Sequence, residues 1–113
     1  MPFIRVSTNV KTEKKEIAIK KGLGEAITLI SGKTERYLMV EIRGGSFMAF
    51  DGDESTPVAM VEVQLLGAAD PAELNRLTAA ITALLERELD IPADRIYVNH
   101  LFFEHWGLNG ENF

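Results

Sequence analysis

Cysteine is absent from the 113 residues, which removes disulfides, zinc–thiolate sites, iron–sulfur clusters and thiol nucleophiles together. Imidazoles are scarce: His100 and His105 are the only two. Without a companion carboxylate set they fall short of the three protein ligands a catalytic zinc needs. Positive charge is in deficit, with 12 basic against 17 acidic residues and a net charge of −5. No basic cluster stands out, so nucleic acid is not an expected partner. No apolar run approaches the roughly 20 residues of a membrane helix. The first ten residues alternate apolar with polar and the next ten are heavily charged, unlike a signal peptide. A cytoplasmic protein without a membrane partner is expected.

What is present fits one globular domain over residues 1–113: 46% hydrophobic and 26% charged. At this length folding can bury roughly two-thirds of the unfolded surface, enough for a core without staples. Two segments have helical periodicity. The stronger begins with Asp70 as cap, Pro71 at the first helical position and Glu73 completing a capping box. Its stripe of Leu74, Leu77, Ile81, Leu84 and Leu85 ends near Leu89. The weaker is capped by Thr12, carries Glu13 and Glu16 in its first turn, and has a stripe of Ile17, Leu23, Ala26, Ile27 and Ile30 before Ser31-Gly32 stops it.

Strand patterns fill the gaps. Phe3 to Thr8 alternates, and Leu38, Val40 and Ile42 oppose Tyr37, Met39 and Glu41. Ala59, Val61, Val63 and Leu65 share one face, and Ile96 to Phe103 is rich in β-branched and aromatic residues. The order is strand–helix–strand twice over, in halves of about 1–56 and 57–113. In each half an acid–Arg pair, Glu35-Arg36 or Asp94-Arg95, precedes a Tyr-bearing strand. This predicts an α+β fold built as a tandem βαβ repeat: a mixed four-stranded sheet with both helices on one face. The other face would carry Val58, Met60, Leu66, Leu101 and Phe103, apolar enough to require a symmetric homo-oligomer.

Several motifs fail on spacing. Gly32-Lys33-Thr34 resembles the end of a phosphate-binding loop, but Ile27 stands where its first glycine belongs and the segment closes a helix instead of opening one. Gly22-Leu23-Gly24 begins a dinucleotide fingerprint inside a helix. Asp51, Asp53, Ser55 and Glu62 fall on calcium-loop spacings, yet Thr56 replaces the required turn glycine. No Ser–His–Asp set and no carboxylate pair stands out. His100 is expected under a helix with its nitrogens satisfied.

Pro2 is different. Proline after the initiator permits removal of Met1, leaving a secondary amine at the head of a strand. An α-amine titrates near ~8 in water, and an apolar pocket pulls that value down toward the range of a useful general base.

Pro2 opening a strand in a tandem βαβ chain resembles the tautomerase superfamily, and within it the macrophage migration inhibitory factor family. The likeness is carried by Met1-Pro2 through Val10, Ser31-Gly32-Lys33, Met48-Ala49-Phe50, Leu66-Gly67, Ile91 to Asn99, Trp106 to Gly110, and Phe113. The resemblance implies a cofactor-independent homotrimer with active sites between subunits, acting on enolisable carbonyl acids of the phenylpyruvate or dopachrome kind. It implies Pro2 as general acid–base, Lys33 as carboxylate ligand and the backbone N–H of Leu66 as a donor. Tyr97 and Asn99 would come from the neighbouring subunit, and Trp106 and Phe113 would form an apolar slot. Val58-Ala59-Met60-Val61 stands where many relatives have Cys-x-x-Cys, which excludes thiol redox chemistry here. The charged pair that animal members present to receptors falls on Thr12 and Gly45. Leu108 and Glu111-Asn112 also depart from the pattern, near the expected pocket mouth. Two rival readings are a cytokine-like interaction protein and a sister reaction, dehalogenation or decarboxylation, that would draw on Arg5, Arg36, Arg43 or Arg76.

Overall fold

A computed structural model describes residues 1–113. Strand β1 (Pro2–Thr8) leads to helix α1 (Glu16–Ala26), which runs on into a 3₁₀ turn over Ile27–Leu29. After a second 3₁₀ turn at Glu35–Tyr37 comes β2 (Met39–Arg43). The second half repeats the plan with β3 (Ala59–Leu66), α2 (Pro71–Leu89), a 3₁₀ turn at Ala93–Arg95 and β4 (Ile96–Phe103). A small hairpin of β5 (Gly107–Leu108) and β6 (Glu111–Asn112) closes the chain. The four long strands form one mixed sheet in the order β2-β1-β3-β4. β1 runs parallel to β2 and β3 parallel to β4, while β1 and β3 are antiparallel at the centre. Each half is therefore a βαβ unit, as the repeat in the sequence predicts.

Alternation determines which strand residues enter the core. Ile4 and Val6 of β1 and Ala59, Val61, Val63 and Leu65 of β3 point toward the helices and are buried. They meet Ile19, Leu23 and Ala26 of α1 and Leu77, Ile81, Leu84, Leu85 and Leu89 of α2 in one cluster of 18 buried residues. Asp70 caps α2 as expected, accepting from the Ala72 N–H at 2.9 Å, with Pro71 at the first helical position. Glu73 does not complete a capping box: its carboxylate reaches across to the N–H and hydroxyl of Ser31, joining α2 to the end of the first crossover.

The weaker helix differs from its sequence reading. Its first helical residue is Glu16, because Thr12 to Lys15 form a separate turn closed by Lys15 N–H to Thr12 C=O at 2.8 Å. Thr12 is buried but does not cap the helix; its hydroxyl donates to the Glu16 carboxylate at 2.9 Å. The phase of the helix then places Ile19, not Ile17, on the sheet. Two residues turn an α-helix by about 200°, and Ile17 is 76% exposed beside the β2 edge.

The open face of the sheet is also less apolar than expected. In-register pairing aligns Glu41, Arg5 and Glu62 across its middle. Arg5 bridges both carboxylates, at 2.7 Å to Glu41 and 3.0 Å to Glu62, and Arg43 adds a contact to Glu41 at 3.1 Å. Apolar residues flank this ionic row: Phe3, Met39 and Leu101 on one side, Met60 and Tyr97 on the other. Val58 is not part of the exposed surface. It precedes β3 and is buried, its N–H and C=O held by Asn9 and Thr8.

Candidate active site

Pro2 is buried at the start of β1, opposite Leu65 of β3. The preceding residue is held as well, for the N–H of Leu66 donates to the carbonyl of Met1 at 3.2 Å. Lys33 reaches the same corner from the first crossover. Gly32, at φ +80°, makes the left-handed turn after the 3₁₀ segment, and the Lys33 N–H returns to the carbonyl of Ile30 at 3.0 Å. The half-buried Lys33 ammonium then donates to the carbonyl of Leu66 at 3.0 Å. Lys33 is therefore an ordered cation at the end of β3, not a solvated charge at a helix end.

This corner weakens a positively charged amine. The α-amine of Met1 is lowered from the ordinary 8.0 to about 6, first by burial, then by its hydrogen bond to Lys33 and the lysine's charge. Desolvation and a like charge both disfavour the protonated form. The carbonyl of Met1 meanwhile occupies the Leu66 N–H.

Beside the amine lies a cavity of about 340 Å³, lined by Met1, Pro2, Phe3, Tyr37, Met39, Gln64, Trp106, Gly107 and Leu108. Trp106 reaches it from the C-terminal segment, packed edge-on against Phe103 with ring centroids 6.0 Å apart. Tyr37, Met39 and Gln64 are additions that spacing did not reveal. The signal available was the parallel β1–β2 register, which sets Met39 against Phe3 and Tyr37 just beyond it. Tyr37 itself lies in the 3₁₀ turn, so only the second half has its tyrosine within the strand.

Of the residues singled out from sequence, the fold gathers Pro2, Lys33, Leu66 and Trp106 at one place. Phe113 is exposed and outside the cavity lining, tied to Trp106 by its N–H at 2.8 Å. Tyr97 and Asn99 lie elsewhere in the same chain. They pair with Met60 and Glu62, which pair with Ser7 and Arg5, so they stand two strands over and well along the sheet from Pro2. Tyr97 packs on Phe50 at 5.1 Å. Phe50 belongs to a loop that Arg95 fastens through the carbonyls of Phe50, Asp53, Thr56 and Pro57. The Asp53 carboxylate is occupied by Ser55 and Thr56, and those hydrogen bonds hold it well below the usual carboxylate range.

The histidines and arginines sit apart from the cavity. His100 is half-buried beneath α2, 3.5 Å from the Thr78 hydroxyl, and burial lowers its pKa; His105 is exposed. Arg5 and Arg43 belong to the ionic row, Arg36 lies over the Tyr37 ring at 5.3 Å, and Arg76 is exposed on α2. None lines the cavity. No helix is long and apolar enough to cross a membrane.

Known proteins share this sequence pattern and fold. The family model described as macrophage migration inhibitory factor matches residues 1–113. A macrophage migration inhibitory factor homolog of Brugia malayi is 29% identical over all of this chain and 99% of its own. A D-dopachrome decarboxylase of Bos taurus is 31% identical over 94% of this chain and 90% of its own. The crystal structure of Leishmania major MIF2 superposes with a TM-score of 0.91 at 31% identity, covering all of this chain and 97% of that one. In sequence, sheet order and helix placement, the chain belongs to the macrophage migration inhibitory factor family.

Proposed function

We propose that the protein is a cofactor-independent keto–enol tautomerase of phenylpyruvate-like or dopachrome-like acids, with Pro2 as its general acid–base once Met1 is removed. The observation that carries this reading is the corner itself. A buried chain start, a fixed ammonium and a backbone N–H converge at the mouth of an apolar cavity. The depressed titration of the Met1 amine supports a depressed value for a Pro2 amine in the same surroundings.

The chemistry needs little else. Pro2 takes a proton from the carbon next to the substrate carbonyl, and the electron pair left behind moves onto the carbonyl oxygen. The same proton is then returned to oxygen or carbon, so the reaction consumes nothing. Lys33 holds the substrate carboxylate, and the Leu66 N–H, vacated with Met1, donates to an oxygen of the bound acid. Such fixed donors are the larger part of stabilising an enolate. Trp106 bounds the ring, with Phe113 beside it.

Tyr97 and Asn99 join this site only from a second copy, and their position two strands from Pro2 supports a homotrimer with shared sites. The bovine relative's name favours a second reading, decarboxylation of a dopachrome, in which carbon dioxide leaves instead of a proton. Thr12, at one of the two positions where animal members offer a receptor contact, is buried here and offers none. The test is ketonisation of phenylpyruvate and turnover of a dopachrome by protein shown by mass spectrometry to begin at Pro2, with the headspace over the dopachrome reaction assayed for carbon dioxide. Turnover without carbon dioxide release is expected. Release of carbon dioxide would favour the second reading, and inactivity of a folded, processed trimer would contradict both.

A further inference from the structure

Arg95 forms no salt bridge. Its half-buried guanidinium serves one loop instead, donating from Nε to the carbonyl of Pro57 at 2.9 Å and from Nη1 to that of Phe50 at 3.2 Å. Nη2 reaches the carbonyls of Asp53 and Thr56 at 3.2 and 3.3 Å. A planar fork of donors can meet four carbonyls at once; a lysine ammonium cannot. The loop is closed from within as well. Phe50 and Asp53 exchange both backbone hydrogen bonds at 3.0 Å, around an Asp51-Gly52 turn with φ of 56° and 71°. The Phe50 ring is thus fixed at its backbone, and the same guanidinium lies over its face, 5.3 Å from the centroid. Its other neighbour is Tyr97, met edge-on at 5.1 Å. Tyr97 is exposed, and its hydroxyl has no partner within the chain, so its ring takes its orientation from that edge contact.

We propose that Arg95 is a positioning residue for the neighbouring subunit's site. By clamping the loop it fixes Phe50, and through Phe50 it sets where the Tyr97 phenol stands beside a second copy's Pro2. This rests on the shared-site reading of Tyr97 and extends it to a residue that lines no part of the cavity. Such a role acts on substrate binding and leaves the proton transfer at Pro2 alone. Arg95→Lys isolates it, because lysine keeps the charge and loses the fork.

Processed wild type, Arg95→Lys, Tyr97→Ala and the double variant would be compared by steady-state kinetics on phenylpyruvate. Arg95→Lys is expected to raise KM about 3- to 10-fold, the worth of one aromatic pair, with kcat near wild type. In the Tyr97→Ala background the same substitution should leave KM unmoved, because its route to the site is gone. A structural role would instead act in both backgrounds, and additive effects on KM would overturn the proposal. A second readout needs no turnover. Tyr37 and Tyr97 are the only tyrosines, so protein labelled with 3-fluorotyrosine gives two fluorine resonances, assigned with Tyr37→Phe. Arg95→Lys should shift or broaden that of Tyr97 and leave that of Tyr37 in place. An unmoved Tyr97 resonance would overturn the proposal whatever the activity. A shifted resonance beside a wild-type KM in Tyr97→Ala would instead place the failure in the shared-site reading.

Discussion

A secondary amine becomes a useful base near neutral pH only where water is scarce and another cation is close. Met1–Pro2 meets both conditions because β1 buries the chain start and Lys33 is fixed against the Leu66 carbonyl. Pro2→Gly, which keeps an amine but changes its basicity and freedom, is expected to lower kcat/KM on phenylpyruvate about 100-fold or more. Lys33→Ala removes a charge-assisted contact and is expected to raise KM by about 10- to 100-fold. Steady-state kinetics on mass-checked protein read both. Met1 retention is the third case: its carbonyl keeps the Leu66 N–H occupied, so protein that retains Met1 should be inactive while folding normally. At this scale sequence alone singled out Pro2, whose amine chemistry is unusual, whereas Lys33 read as a solvated helix-end charge until the family resemblance gave it a role. It was silent on Gln64 and Tyr37, because ordinary polar residues acquire meaning only when the register of three strands brings them to one cavity.

Among the elements, α2 was the most legible and α1 the least, for a physical reason. The second helix begins with a side-chain cap and a proline, so its start and phase follow from residues 70 and 71. The first has no side-chain cap on Lys15, and the turn over Thr12–Lys15 shifts its start. Its apolar stripe therefore includes Ile19 and leaves Ile17 outside. Asp70→Ala should cost about 1 kcal/mol, and Leu77→Ala, in the centre of the core, about 2–5 kcal/mol; both are read as shifts in urea midpoint. His100 adds a pH dependence. Burial disfavours its cation in the folded state, whereas the unfolded chain protonates near the ordinary 6.5. The unfolded state therefore binds more protons below that pH, and stability falls as pH drops through 6.5, levelling off below the folded value. His100→Asn should flatten the dependence of the urea midpoint between pH 7 and 5.

For the whole molecule, the repeat was legible because each half carries its own alternation, helix and acid–Arg exit. The character of the open face was not, because Arg5, Glu41 and Glu62 are far apart in sequence and align only through pairing. An ionic row is well suited to a face that remains wetted within an assembly, while the exposed Tyr97, at 60%, and Asn99 lie on edge strand β4, where a second copy can reach them. Sedimentation equilibrium should therefore show a trimer at micromolar concentration. On the proposed shared site, Pro2→Gly and Asn99→Ala proteins, each impaired alone, should recover activity when refolded together. Random mixing unites an intact Pro2 with an intact Asn99 at about a quarter of the interfaces. No recovery from a confirmed mixed trimer would place Asn99 outside the site.

The central claim is that a neutral N-terminal amine performs the proton transfer. Its most direct test is the pH–rate profile of phenylpyruvate ketonisation by protein beginning at Pro2, beside the same protein with its amine blocked by a tag. The account predicts an acidic limb along which the rate rises with pH through a pKa well below 8, and loss of the limb when the amine is blocked. An unchanged rate in the blocked protein, or a limb at the ordinary α-amine value, would contradict it.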